Sequence, residues 1–214
     1  MKKQMKTSLL SLLLAIILAG CGFVAPQNAD MSDADAVALA DSLMQEGKAV
    51  FWWYHSDYAE DLDIDMDSAN WIQGDWQEYA TVGKFATMAQ LKAATEAVFT
   101  SAFCEVHFYD KVNGSQKFHE IDGVLYHNMQ SGGMGWVFAL PKEYAIKTAD
   151  KDTIILTAIC SGLDARPGAE GSTEYEFEVT LKKQNDTWKL NSWYTYTPEG
   201  WDEIPMLYRD EIAE

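Results

Sequence analysis

Basic side chains are scarce in this sequence. Its 214 residues include 16 lysines and arginines against 33 aspartates and glutamates, a formal net charge of −17 at neutral pH. The phosphate backbone of a nucleic acid attracts clustered lysine and arginine side chains and repels carboxylates. The charge balance therefore argues against a nucleic-acid partner. It also disfavours direct attraction to an anionic membrane surface.

The motifs of common hydrolases are missing as well. None of the histidines, His55, His107, His119 and His127, stands in the HExxH pattern of zinc peptidases, and no GxSxG sequence marks a serine nucleophile. His119-Glu120 and His127 flank one predicted hairpin, where a general base is conceivable. Such residues are more typical of the polar face of a strand. We predict no catalytic residue, no metal site and no cofactor, hence a protein that is not an enzyme.

The N-terminus carries the longest apolar run. Lysines at positions 2, 3 and 6 precede apolar residues 9–18, and the run ends in Leu18-Ala19-Gly20-Cys21. This order is that of a lipoprotein signal peptide, in which small residues fit the processing peptidase and the Cys21 thiol carries the lipid. A membrane-spanning helix needs about 20 apolar residues, more than this run offers. We predict cleavage before Cys21 and anchoring by lipid alone to the outer face of a bacterial membrane.

Two more cysteines, Cys104 and Cys160, remain after this cleavage. An extracytoplasmic location permits oxidation, and a bridge would close a long loop worth about 4 kcal/mol in the chain-entropy model. The spacing is equally compatible with two free buried thiols.

Hydrophobic periodicity divides the rest into helices and then strands. Ser32 with Asp35, and Thr87 with Gln90, have the spacing of helix N-caps and precede apolar residues at helical intervals. The dipeptide Asp122-Gly123 is a two-residue hairpin signal. The predicted strands are 118–121, 124–128, 144–148, 153–160, 175–182 and 187–194.

This order predicts an α+β fold, with N-terminal helices followed by a curved antiparallel sheet in a cystatin-like or nuclear-transport-factor-like cone. The predicted organisation is a signal peptide at 1–20, a lipidated tether at 21–31, a single α+β domain at 32–195 and an acidic C-terminal tail at 196–214.

An acidic segment, 57–75, has aspartates at every second position from Asp61 to Asp67. The spacing resembles the start of a calcium loop. Counted from Asp61, however, Met66 occupies the glycine position and Ile72 the position of the bidentate glutamate. The alternation with apolar residues suits a half-exposed strand or a solvated loop equally well.

The chain also resembles a known family over about 52–193. The residues that carry this resemblance are Tyr79, Phe85, Leu91, Val98-Phe99-Thr100, Gly123, Leu125, Gly132-Gly133, Trp136, Tyr175, Phe177, Val179 and Trp188. Their order and spacing are similar to those of the IseA family of D,L-endopeptidase inhibitors. The resemblance implies a cystatin-like fold and, as partner, an NlpC-type cysteine peptidase that cuts peptidoglycan stem peptides outside the membrane.

An inhibitor of this kind needs a loop that enters the peptidase cleft and excludes substrate. Our first candidate joins two predicted strands and combines glycines with apolar anchors; its residues are Tyr126, His127, Met129, Gly132, Gly133, Met134 and Trp136. The second candidate is the loop around Arg166, Pro167 and Gly168. An alternative function is a small-ligand module with an aromatic-lined cone, and a hydrolase of unknown type ranks third.

Overall fold

The computed structural model describes residues 31–55, 60–71, 78–109, 117–129, 140–164, 172–194, 196–201 and 207–208. The chain divides into two compact units, Met1–Met31 and Ser32–Glu214. The predicted signal peptide, the lipidation site Cys21 and nearly all of the tether lie outside the described residues. Among the helices of the described part, none is long and apolar enough to cross a bilayer.

The described residues of the second unit include three α-helices and eleven strands. The helices are α1 (Asp33–His55), α2 (Met88–Val98) and α3 (Ser101–Cys104), which continues into a π-helical turn, Glu105–Tyr109. The strands are β1 (Ile64–Trp71), β2 (Glu78–Val82), β3 (Phe118–Ile121), β4 (Val124–Asn128), β5 (Glu143–Ala149), β6 (Thr153–Asp164), β7 (Ser172–Gln184), β8 (Thr187–Leu190), β9 (Tyr196–Thr197), β10 (Gly200–Trp201) and β11 (Leu207–Tyr208).

The strands form antiparallel sheets. The first sheet has the order β1-β2-β4-β3. In the second, the order is β11-β6-β7-β8, and β5 also pairs with β6, while β9 and β10 form a separate hairpin. The predicted α+β class is confirmed. The structure has two main sheets where the sequence predicted one. Two strands, β1 and β2, precede α2, and β1 comes from the acidic segment.

Both predicted N-caps are confirmed. The Ser32 hydroxyl accepts a hydrogen bond from the Asp35 amide at 3.2 Å, and the Thr87 hydroxyl accepts one from the Gln90 amide at 3.3 Å. These contacts satisfy amide groups that the first turn of a helix leaves without partners. Local side-chain chemistry therefore sets where α1 and α2 begin.

The helix α1 packs against α2, β5 and β8, and its buried end joins a cluster of aromatic rings. Phe51 stacks on Trp193 with ring centroids 5.5 Å apart and meets Phe108 edge-on at 5.8 Å. Phe99 stacks on Phe103 at 4.8 Å and meets Trp193 at 5.8 Å. These are ordinary separations for packed aromatic pairs. The rings fill this part of the core by packing on one another.

The C-terminal tail begins inside this core. Tyr196 packs against Phe51, with centroids 5.3 Å apart. Further along, β11 pairs with β6 through Leu207–Asp164 and Tyr208–Leu163. The tail was predicted as a separate segment from residue 196. Its first residues instead complete the aromatic cluster, and its last described residues extend the second sheet.

The hairpin of β3 and β4 has the turn that its sequence predicts. Asp122 and Gly123 both have positive φ, 51° and 79°, which is the pattern of a type I′ turn. The paired register runs from Phe118–His127 to Ile121–Val124. The turn thus fixes which residues of β3 face which residues of β4.

We expect Gly123→Val to lower the free energy of unfolding by about 1–2 kcal/mol, because a β-branched residue tolerates positive φ poorly. An added Cβ would meet no atom within 4 Å, so the loss reports backbone strain alone. Gly123→Asn is the control and should lose only a few tenths of a kcal/mol, since asparagine tolerates this conformation. Urea unfolding compares the two. Equal losses would contradict the strain explanation.

Candidate functional site

The first predicted loop begins inside a strand. β4 lies between β2 and β3, and its register pairs Tyr126 with Thr81 on one side and His119 on the other. Consecutive residues of a strand point to opposite faces of its sheet. Tyr126 and His127 therefore lie on opposite faces, and the two residues cannot act together as one binding surface.

His127 faces the core. Its ring meets Phe118 edge-on with centroids 5.2 Å apart, and the residue is fully buried, as is its neighbour on the same face, Leu125. The prediction that His127 belongs to a partner-binding loop is therefore wrong for this structure. A side chain with no exposed surface cannot contact a second protein without local unfolding.

Tyr126 faces the other way and lies in a polar neighbourhood. The hydroxyl of Tyr79 and Nε2 of His119 are 3.2 Å apart, and the hydroxyls of Ser68 and Thr81 are 2.9 Å apart. Tyr126, His119, Thr81 and Ser68 are half-buried, whereas Tyr79 is buried. We call these five residues the Tyr126 face. Tyrosine and serine are enriched in the binding loops of antibodies, where tyrosine supplies contact area and serine supplies adaptable hydrogen bonds.

Sequence reasoning considered His119 only as a general base, and it missed the three members of the Tyr126 face that lie outside the hairpin. Ser68, Tyr79 and Thr81 come from β1 and β2, which pair with the hairpin only in the folded sheet. The signal available in the sequence was the two-residue period of 124–128, which places Tyr126 and His127 on different faces. Applied there, it would have removed His127 from the candidate site.

Met129 marks the point where the chain leaves β4. Its amide donates to the carbonyl of Glu78 at 2.8 Å, and its sulfur lies 3.5 Å from Nδ1 of His127. The residue is half-buried. The remaining residues of the first loop, Gly132, Gly133, Met134 and Trp136, lie outside the described residues. So does the second loop with Arg166, Pro167 and Gly168.

The structure does not bring His119 and Glu120 together as an acid–base pair. His119 belongs to the Tyr126 face, where it contacts Tyr79. A carboxylate oxygen of Glu120 accepts a hydrogen bond from the Met88 amide at 2.7 Å, at the start of α2. Because they are adjacent in β3, their side chains project from opposite faces. Glu120 therefore contributes to helix capping rather than to proton transfer with His119.

Cys104 and Cys160 are free and buried. Of the two arrangements that the sequence left open, the structure has the separate thiols, because Cys104 lies in α3 and Cys160 in β6, in different surroundings. The Cys160 thiol lies 3.8 Å from the carbonyl oxygen of Tyr175. Burial raises the pKa of Cys104 to about 12 and that of Cys160 to about 11. Both thiols are protonated at neutral pH, a state of low nucleophilicity.

Where it is described, the acidic segment forms a 3-10 helical turn, Glu60–Leu62, followed by strand β1. Asp61 accepts hydrogen bonds from Nε1 of Trp53 at 2.7 Å and from Nζ of Lys84 at 2.9 Å. Asp65 accepts from the Asp67 amide at 3.1 Å. Within the part of the chain that the structure describes, no group of three or more histidine, cysteine or acidic side chains could hold a metal ion. Asp61 and Asp65 therefore stabilise local structure through these hydrogen bonds.

Comparison of the chain with protein-family models finds no match, and comparison with curated proteins finds none either. The resemblance to the IseA family accordingly stays a prediction from the sequence.

Proposed function

We propose that this chain is an extracytoplasmic, lipid-anchored inhibitor of peptidoglycan D,L-endopeptidases of the NlpC type. The support from the sequence is the lipobox ending at Cys21 and the ordered residues similar to the IseA family. The inhibitor contacts the peptidase through the half-buried residues of the Tyr126 face, whose His119 is in contact with the buried Tyr79, and through residues 129–136, the strip that follows β4. It occupies the peptidase cleft and excludes the stem peptide.

The observation that carries this proposal is that Met129, the first residue of the strip, follows a strand that is paired on both sides. β4 is hydrogen-bonded to β2 and β3 along its sides, and the Met129 amide continues this pairing to Glu78. A segment that emerges from a central strand is held in position at its base. This pairing fixes Tyr126 and Met129, which reduces the entropy that these two residues lose on binding a partner.

The ligand-cone alternative finds less support. It requires aromatic side chains around a cavity, whereas Phe51, Phe99, Phe103, Phe108 and Trp193 pack ring against ring. All five residues are buried. Aromatic rings that satisfy one another in this way are core residues, so we favour the inhibitor.

The test measures cleavage of peptidoglycan by an NlpC-type endopeptidase with increasing amounts of the whole chain in mild detergent. We expect inhibition by the unmodified chain. Met129→Asp combined with Met134→Asp should weaken inhibition at least about tenfold, because a charge placed at an apolar contact must be desolvated on binding. Circular dichroism and thermal unfolding check that the variant stays folded.

The matched control is Val106→Asp. Val106 is an apolar residue of the π-helical turn, outside the first sheet, with 43% of its surface exposed, and inhibition should be unchanged there. Full inhibition by the double methionine variant would show that another surface binds the peptidase. No inhibition by the unmodified chain of the peptidases tested would remove the proposed function.

A further inference from the structure

Two histidines lie together under the start of the C-terminal tail. His55 is the last residue of α1, and His107 belongs to the π-helical turn. Nε2 of His107 donates a hydrogen bond to the carbonyl of Thr197 at 2.6 Å. The tail hairpin β9–β10 is thereby attached to the π-helical turn through a titratable side chain.

Tyr196 covers both imidazoles. Its ring lies 5.2 Å from that of His107 and 6.3 Å from that of His55. His55 also stacks on Phe51, with centroids 4.0 Å apart, and His107 lies 4.5 Å from Phe103. Aromatic rings thus replace water around His107, which is buried, and around part of His55, which is half-buried. This loss of water favours the neutral form of each imidazole.

Neighbouring titratable groups oppose the protonation of His55 as well. Its pKa is lowered to about 3, first by burial and then by the electrostatic effects of His107 and of Lys117, a buried residue just before β3. Burial also lowers the pKa of His107, against the opposing effect of its bond to Thr197. The other titratable groups of the π-helical turn and the described hairpin are Glu105, Tyr109, Tyr196 and Glu199, and Tyr54 precedes His55 in α1; both glutamates are exposed.

The hairpin is held by few backbone pairs. β9 and β10 have two residues each, and among the described residues they pair through Gly200–Thr197 and Trp201–Tyr196. One further bridge joins Tyr196 to Trp193. Two-stranded hairpins of this length are marginally stable by themselves. By contrast, β6 and β7 pair over nearly their whole length.

We propose that His55 and His107 form an acid-sensitive latch: protonation of the pair releases the hairpin Tyr196–Trp201 from the aromatic core while both main sheets remain folded. When the Tyr196 ring moves away with the hairpin, water reaches the two imidazolium groups. A histidine whose folded pKa is depressed stabilises the closed state above its ordinary pKa of about 6.5, and this stabilisation is lost as the pH falls towards the depressed value. The inference does not depend on the inhibitor proposal.

Hydrogen–deuterium exchange of the whole chain in mild detergent tests the latch, with exchange times corrected for the intrinsic pH dependence. From pH 7.5 to pH 5, protection of a peptide spanning 193–201 should fall about 30-fold if one imidazole recovers its ordinary pKa of about 6.5 when the hairpin is released. Protection should fall further if both imidazoles do. A peptide from β6 should keep its protection. Unchanged protection of the hairpin, or parallel loss in both peptides, would overturn the proposal.

Two substitutions separate the latch from general acid sensitivity. His107→Gln keeps an N–H donor for Thr197 without a group that titrates in this range, and His55→Phe keeps a ring beside Phe51. In each variant the loss of hairpin protection at pH 5 should shrink, and in the double variant it should disappear. If one variant does not fold, the other decides alone. An acid response equal to that of the unmodified chain would exclude these histidines as its cause.

Discussion

Replacing Phe51 with alanine is expected to lower the free energy of unfolding by about 3–5 kcal/mol, the usual loss for a buried phenylalanine. The Phe51 ring meets Phe108, Trp193 and Tyr196 at centroid distances of 5.8, 5.5 and 5.3 Å. Its removal leaves a cavity among rings that belong to three parts of the chain. Because small domains have a total stability of about 5–15 kcal/mol, we expect a variant close to unfolding at physiological temperature.

The adjacent Trp52 provides the matched control. It is larger than Phe51 but only half-buried. Trp52→Ala should therefore cost clearly less, although it removes more atoms and the helical position is nearly the same. Urea unfolding followed by far-ultraviolet circular dichroism gives both values. A greater loss for Trp52 would show that the described core does not account for the stability of this helix.

The second large effect is expected at Gly47, which lies in α1 against the second sheet. A Cβ at this position would come within 2.7 Å of Leu190 Cδ1 and of Trp193 Cζ3, and within 3.2 Å of Phe99 Cζ. Leu190, Trp193 and Phe99 are fully buried, so they have little room to move. We expect Gly47→Ala to destabilise by about 1–3 kcal/mol through overpacking, and Gly47→Leu to do so more strongly.

Helix propensity acts in the opposite direction at this residue. In an exposed helix position, alanine is more favourable than glycine by about 1 kcal/mol. Ala49→Gly, at an exposed position two residues later, measures this term in the same helix. If Gly47→Ala instead raised the free energy of unfolding by about 1 kcal/mol, the close approach of α1 to Trp193 would be contradicted.

Local features were predictable because they depend on neighbouring residues. The Ser32 and Thr87 caps need only a hydroxyl three residues before an amide, and the Asp122-Gly123 turn needs only residues that accept positive φ. Strand positions in β5 to β7 followed from alternation and were correct to within a few residues. The last predicted strand extended too far, since β8 ends at Leu190.

The candidate site was less predictable. Tyr126 was chosen from sequence, but its polar neighbours Ser68, Tyr79, Thr81 and His119 are assembled by pairing between strands far apart in the chain. His127 was chosen for its chemistry, although its position beside Leu125 on the core face buries it. A residue type shows what a side chain can do, whereas its face in the sheet decides whether a partner can reach it.

The sequence by itself determined the α+β class, the starts of both long helices and the turn of the β3–β4 hairpin, because caps, turns and periodicity act over a few residues. Only the tertiary structure decided that Cys104 and Cys160 stay apart, that Gly47 lies against Trp193, and that Tyr196 covers His55 and His107. These contacts join residues distant in the chain. Their existence depends on how helices and sheets pack, which no local pattern encodes.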